Sequence, residues 1–569
     1  MSKRLELIWP EKGKVLLGLD DNGKPIWGTK ADLETRLLVQ LEAVGETNPD
    51  NLNDLYEQGD NLLIKGDNLL ALKALERHFA GKIKCIYIDP PFNTGNAFEY
   101  YDDGLEHTIW LSMMKARLEI LKKLLRSDGV IFIHIDFNEL GALQVLTDEI
   151  FGRRNFISLV TWQRTPEITF LGQGQSPIIT ITEYLLIYAR EFAECKLNRV
   201  SKKILATSRV MQQYDLIVEL GDEEFVQEIE EEKARAVKLY RYPHAQIENL
   251  PSSLSKREYI VKFDKIFRYA RVNPDNSFLF RMMGRLDPET VFGIKYKART
   301  GKSAGKEIEA ILHKRNQLWP ASNNAFVEEG EIYRTADMSN FWSNDEISAT
   351  KIANEGGVEF RRGKKPEALV HRILEIATSR GDWVLDSFLG SGTTAAVAHK
   401  LGRKWVGVEI GEHAETLCLP RLKRVVSGKD QTGISKHVGW KGGGGFRYCV
   451  LGESLFAKDN DTGLVMINPR YTNGPLVAAV CNLEGFYLNN DSLFHGVRGN
   501  IYAHVTEDRV TQTYLDSLVE KLPEGKNLVV YCLKHATGLE MPQEVKVKRI
   551  PKELQIPRYL TSTSRGSGE

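Results

Sequence analysis

Two hydrophobic rhythms alternate along the first third of the chain. NLLIKGD (from Asn61) is a short apolar run stopped at Gly66-Asp67, and NLLALKALERHF after it repeats its apolar positions at helical spacing. Ile83, Cys85, Ile86, Tyr87 and Ile88 form the next apolar run, which ends abruptly in Asp89-Pro90-Pro91-Phe92. Thr108–Leu125 has the pattern of an amphipathic helix, Gly129 breaks it, and Val130–Asp136 (VIFIHID) returns to a buried strand. A helix near Glu139–Ile150 and a strand at Tyr184–Tyr188 come next. Strands alternating with helices predict an α/β unit with a mainly parallel sheet.

The same alternation resumes at Lys364. KKPEALVHRILEIAT reads as a helix, and WVLDSFLGSGTTAAVAHKLGRKWVGVEI reads as strand, glycine turn, helix and strand. Between the two stretches the character changes. Lys256–Arg315 holds 15 Lys/Arg against 7 Asp/Glu, with Tyr259, Phe263, Phe267, Tyr269, Tyr296 and Trp319 among or just beyond them. Such a mixture suits contacts with phosphates and bases, or equally a solvated charged face over an aromatic core. An acidic helix is expected just before it, at Asp222–Lys233, and another helix near Lys30–Val44. Soon after Ser435 a glycine run (WKGGGGF) reads as a linker or mobile loop. Strands at Gly463–Ile467 and Asn527–Cys532 and a basic EVKVKRI then indicate a small α/β domain.

Composition narrows the class. The 569 residues exceed one core, so two to four domains are expected. With 76 basic and 76 acidic residues the net charge is zero, and any nucleic-acid footprint must be local. Six scattered cysteines without a CxxC pair argue against a zinc site or disulfide framework and for a reducing cytoplasm. No apolar run has the length of a membrane span. Two glycine–lysine stretches fail as phosphate loops: Gly23–Lys30 has Thr where the lysine belongs, and Gly301-Lys302-Ser303 has Tyr296 where the first glycine should be.

Chemistry concentrates at two places. Successive prolines make the turn after Ile88 stiff, and it offers the Asp89 carboxylate, a proline carbonyl and the Phe92 ring. Those groups suit an exocyclic amine on a planar base: the amine donates to Asp89 and to the Pro90 carbonyl while the base lies against Phe92. The plain alternative is a tight turn in which Asp89 caps the next segment. In the second half, Gly390 and Gly392 sit between a strand and a helix, and Glu409 ends the next strand 19 residues after Gly390. Glycines there let a ligand approach the backbone, and an acid about 20 residues on holds ribose hydroxyls. That arrangement serves NAD, FAD or S-adenosylmethionine; a dehydrogenase would leave DPPF unexplained.

DPPFNTG, then a helix and GVIFIHID, then DSFLGSGTT resembles the β group of DNA amino-methyltransferases. YIDPPFNTG with a long insert before KKPEALV is more closely similar to the modification subunits of Type III restriction–modification systems. The resemblance covers roughly 61–190 and 341–422. It implies a circularly permuted Rossmann-like methyltransferase sheet with an inserted target-recognition domain and a small α/β C-terminal domain. The boundaries expected are an N-terminal extension over 1–58, a catalytic half over 59–194, the insert over 195–345, a cofactor-binding half over 346–434, and the C-terminal domain over 435–569.

The resemblance also implies the roles. Asp89, Pro90, Pro91 and Phe92 form the catalytic motif, and Asp at its first position favours adenine N6 over N4 of cytosine. Phe92 departs from the commoner Tyr but keeps the stacking ring. Asp386, Phe388, Gly390 and Gly392 cradle the methionine part of S-adenosylmethionine, Glu409 binds its ribose, Asp67 approaches its adenine, and Lys365-Pro366 flank the pocket. For Asp67 and Glu409 the plain alternative is a helix cap or a solvated strand end; for Lys365 it is a surface lysine. His134 and His371 are read as structural. No metal is required. Implied partners are double-stranded DNA with its target adenine flipped out, a separate helicase–nuclease, and a second copy of the chain. N4-cytosine or RNA methylation, or a purely DNA-recognising subunit of a larger complex, are the competing readings.

Overall fold

The computed structural model describes residues 5–20, 23–48, 59–93, 105–166, 179–206, 211–231, 235–251, 254–272, 277–297, 305–350, 352–353, 355–360, 363–459, 461–489, 491 and 493–561. Gly301-Lys302-Ser303 lies outside them. The chain divides into two compact units, Met1–Asn198 with Ser339–Glu569, and Arg199–Met338.

The first unit is built on a ten-stranded mixed sheet. Its strands are β1 (Leu38–Gly45), β2 (Asn61–Lys65), β3 (Ile83–Ile88), β4 (Leu125–Ile135), β5 (Phe156–Gln163), β6 (Thr182–Ala189), β7 (Phe341–Trp342), β8 (Trp383–Asp386), β9 (Lys404–Glu409) and β10 (Gly445–Leu451), in the spatial order β7-β5-β6-β4-β3-β8-β9-β2-β10-β1. The six strands from β4 to β10 in that order run parallel, and β6 and β1 run antiparallel to their neighbours. All six residues of β3 are buried, as expected of a central parallel strand covered on both faces. Helices α1 (Asn68–Phe79), α2 (His107–Leu124), α3 (Phe137–Phe151), α4 (Glu367–Ala377), α5 (Thr393–Lys400) and α6 (Leu419–Val426) belong to the same unit. The pairing of β3 with β8 joins Cys85 to Val384, and so places the end of DPPF's strand beside the strand of the glycine turn.

Three expectations change in this unit. Lys30–Val44 is not a helix: a short turn at Lys30–Asp32 is followed by β1, whose LVQLEAVG alternates between half-buried and exposed positions. Its β-branched and alternating residues fit a pleated edge better than a helix face. Gly129 does not separate helix from strand, because β4 already begins at Leu125, directly after α2. The glycine run is no linker. Gly442, Gly443 and Gly444 adopt positive φ, Gly443 N–H donates to Val426, and the run feeds straight into β10 of the main sheet. Segments 1–58 and 435–569 therefore each lend a strand to this sheet, β1 and β10. The rest of the C-terminal segment includes a five-stranded sheet, among whose strands are Ile501–Val510, Asn527–His535 and Val545–Arg549.

The second unit contains an eight-stranded and a three-stranded antiparallel sheet. The acidic helix expected at Asp222–Lys233 is instead a strand, Glu224–Glu231, paired with Arg235–Arg241. Opposite charges face across it (Glu228 to Lys238, Glu224 to Arg241), and cross-strand pairing of this kind stabilises a hairpin that an acidic helix would lack. Several of the basic residues here are paired with acids, among them Lys265 with Glu219 and Lys295 with Glu223. Phe263 and Phe267 are buried, and Tyr259, Tyr269, Tyr296 and Trp319 pack against cores.

Candidate active site

Four acids named from the sequence meet at the carboxyl ends of adjacent parallel strands: Asp67 after β2, Asp89 after β3, Asp386 ending β8 and Glu409 ending β9. Ligands of open α/β sheets bind at such an edge. Asp89 points one oxygen, Oδ2, at the Lys365 ammonium 2.8 Å away. Its other oxygen, Oδ1, is buried without a hydrogen-bond partner among the described residues. A buried acceptor left open at a strand end is costly unless a ligand completes it. The turn itself is pinned from below: Trp110 of α2, fully buried, donates its Nε1–H to the Pro91 carbonyl at 2.8 Å. The Phe92 ring is half-buried and lies against the His134 ring, centroids 5.9 Å apart and 29° between planes.

The glycine turn is tied to both neighbouring acids. Asp386 accepts from Phe388 N–H at 2.9 Å and from the Thr394 hydroxyl at 2.5 Å. Burial pushes the Asp386 carboxyl up to about 7, against those two hydrogen bonds. Gly390 and Gly392 have φ of 57° and 81°, a region where a side chain is strained. Gly392 caps α5. Glu409 is buried, and its oxygens accept from Gly390 N–H (2.7 Å) and Gly411 N–H (3.0 Å), so in this state it shapes the turn. Ser387 beside it carries a buried hydroxyl with no hydrogen-bond partner among the described residues. Asp67 caps α1 by accepting from Leu70 N–H and pairs with Arg117; the next residue, Asn68, donates to the Ser387 carbonyl. The helix-cap alternative for Asp67 is thus realised, with the contact to the turn made by its neighbour Asn68.

Beneath the turn lies a fully buried ionic cluster. Arg421 donates to the Thr393 hydroxyl (2.8 Å), the Ser391 carbonyl (3.1 Å) and Glu367 (2.8 Å). Lys400 bridges Glu367 and Asp430, each at 2.8 Å, and Ile434 N–H adds a further bond to Glu367.

Lys365 and Pro366 precede α4, with Pro366 as its N-cap. Lys365 joins the DPPF turn rather than the glycine turn: its ammonium is 2.8 Å from Asp89, 3.6 Å from Glu183 and 4.8 Å from the centre of Phe92. Burial works to lower its pKa, but the two carboxylates outweigh this and hold it above the ordinary value. Sequence reasoning misses Glu183, on β6, and gives His134 no more than a structural part. Glu183 lies 2.8 Å from His134 Nε2 and 3.0 Å from Arg164. Burial alone would raise its carboxyl; Lys365, His134 and Arg164 together hold it well below the usual range. The only signal in the sequence is an acid at the head of an otherwise apolar strand. Among the described residues no cluster of His, Cys, Asp or Glu could hold a metal, and no helix is long and apolar enough to cross a membrane.

The chain that carries these two turns on one sheet edge belongs to the DNA methylase family, whose model matches residues 83–418. Its relatives include the protein named HindVI Mod subunit, of the type III restriction–modification enzymes, from Haemophilus influenzae. That protein is 36% identical over 413 residues, 69% of this chain and 54% of the relative. The type III EcoPI Mod subunit of Escherichia phage P1 is 29% identical, over 65% of this chain and 60% of the relative. The chain therefore spans about half to three fifths of the length of these relatives. Among solved structures, the PvuII DNA methyltransferase (cytosine-N4-specific) is 13% identical with a TM-score of 0.32, covering 67% of this chain and 90% of that one.

Proposed function

We propose that this chain is a site-specific DNA methyltransferase that moves a methyl group from S-adenosylmethionine to N6 of a flipped-out adenine, as the modification subunit of a Type III restriction–modification system. The sheet is then a circularly permuted methyltransferase fold, its catalytic strand preceding its cofactor strand in the chain, with 199–338 as the target-recognition insert. Double-stranded DNA is the substrate, a separate helicase–nuclease the partner, and a homodimer the assembly.

One observation carries this reading: Asp89 Oδ1 is buried and open at the strand end next to the glycine turn. The amine of an adenine donating to that oxygen and to the Pro90 carbonyl would have its lone pair localised and aimed. The cofactor supplies an already activated methyl group on a sulfonium. Asp386, Phe388, Gly390 and Gly392 are suited to hold it: a carboxyl raised by burial can exchange its proton for a ligand cation, and the unpartnered Ser387 hydroxyl leaves a further polar group to satisfy. Glu409 would trade its backbone partners for ribose hydroxyls. Positioning and electrostatics then carry the rate.

The test is long-read sequencing of DNA from a methylation-free host expressing the chain, beside its Asp89→Ala variant. N6-methyladenine in one sequence context, lost in the variant while S-adenosylmethionine binding persists, is the expected result. Methylated cytosine would overturn the base assignment, and full activity in the variant would overturn the site.

A further inference from the structure

We infer that Glu183 and Lys365 are positioning residues that fix both jaws of the base clamp, an inference that rests on the methyl-transfer reading above. Glu183 is a buried hub with three cationic or ring partners: His134 at 2.8 Å, Arg164 at 3.0 Å and Lys365 at 3.6 Å. Two arms leave it. Through Lys365 it reaches Asp89 Oδ2 at 2.8 Å, and through His134 it reaches the Phe92 ring. His134 is itself enclosed, with Tyr87 hydroxyl 3.0 Å from Nδ1 and the Trp162 ring edge-on at 5.7 Å.

The first arm decides how Asp89 meets an amine. A lone aspartate can turn either oxygen toward a ligand. With Oδ2 held by the ammonium, only Oδ1 is left, in one direction. Catalytic groups need positions held within about half an ångström, which such a lock supplies. Lys365 also balances charge: without it, Asp89 and Glu183 would be two carboxylates at a buried site with the half-exposed Arg164 as the remaining Lys or Arg partner among the described residues. Held by two carboxylates, Lys365 stays an ammonium and takes no part as a base. The second arm holds the Phe92 ring by packing. Clamp carboxylate and clamp ring, three residues apart in the chain, are thereby referred to one anchor on a different strand.

The experiment compares wild type, Glu183→Gln, Lys365→Met and the double variant. The readouts are single-turnover transfer of tritiated methyl from saturating S-adenosylmethionine to genomic DNA of a methylation-free host, and cofactor affinity by calorimetry. Each single variant should slow transfer by about tenfold to a hundredfold with cofactor affinity within about twofold of wild type, and the double should be no slower than the slower single. Unchanged transfer at saturating cofactor, or transfer and cofactor affinity lost together, overturns the proposal. Glu183→Gln keeps the volume of the side chain, so it remains informative if Lys365→Met fails to fold. Failure of wild type to methylate would instead strike at the methyl-transfer reading.

Discussion

Glu367→Gln tests whether the buried ionic cluster, rather than the glycines alone, sets the stability of the turn. Glu367 has no exposed side-chain surface and takes four bonds: both oxygens from Lys400, Oε1 from Arg421 and Oε2 from Ile434 N–H. Glutamine fills the same volume but turns one oxygen into an amide donor. Either orientation sets that donor against an ammonium, and two buried cations are left with Asp430 as the remaining acid in the cluster. Losing one neutral hydrogen bond costs about 1 kcal/mol. Breaking a buried ion pair from one side costs about 3–5 kcal/mol, because the orphaned charge stays desolvated. The expected loss is therefore about 3–5 kcal/mol for the transition that reports on this region, read by urea unfolding with tryptophan fluorescence. Trp405 and Trp440, both in contact with His399 of α5, lie close enough to report it. The control is Lys423→Ala, which removes a half-exposed pair with Glu42 and should cost no more than about 1 kcal/mol. Equal losses in the two variants would refute the argument that burial gives this cluster its weight.

Asp386 makes the native chain a proton binder. Its carboxyl lies at about 7 when folded against 3.8 ordinarily, so stability should fall as pH rises from about 4 to about 7 and level off above. Cofactor binding near neutral pH should release a proton, seen as a heat that varies with buffer ionisation enthalpy, and Asp386→Asn should abolish that variation. Trp110→Phe removes the donor to Pro91 and should slow methyl transfer while costing about 1 kcal/mol in stability, measured by the same unfolding assay. Gly392→Ala places a side chain at φ 81° with Cys418 in ordinary contact, so its cost of about 1–2 kcal/mol should come from backbone strain and leave packing intact.

The features legible in the sequence are the local ones. The helices α1 to α3 and the strand–turn–helix around Gly390 announce themselves by period and by breakers, and DPPF by two prolines that halt a strand. The illegible features depend on distance along the chain. Glu183 matters because Lys365, 182 residues later, comes to meet it, and nothing near either residue says so. Lys365 looks like part of a helix start and is a partner of Asp89, 276 residues away. Glu224–Glu231 reads as an acidic helix because its neutralising partner strand is not visible in that window. One end of the sheet escapes for the same reason: β1 is an ordinary alternating edge strand whose partner, β10, lies far along the chain.

That last pairing sets a timetable for biosynthesis. Gly45 of β1 meets Gly445 of β10, so the two strands emerge from the ribosome about 400 residues apart. At translation speeds of about 5–20 residues per second, β1 exists for roughly 20–80 s before its partner is made. During that interval it carries Val39 and Leu41, both exposed even in the finished fold, on a strand with both edges open. A nascent chain in that state is a template for pairing with other strands. The yield of folded protein should therefore depend on synthesis rate and on strand-shielding chaperones, and a chain begun at Asp60 should be freed from that dependence while leaving the edge of β10 uncovered.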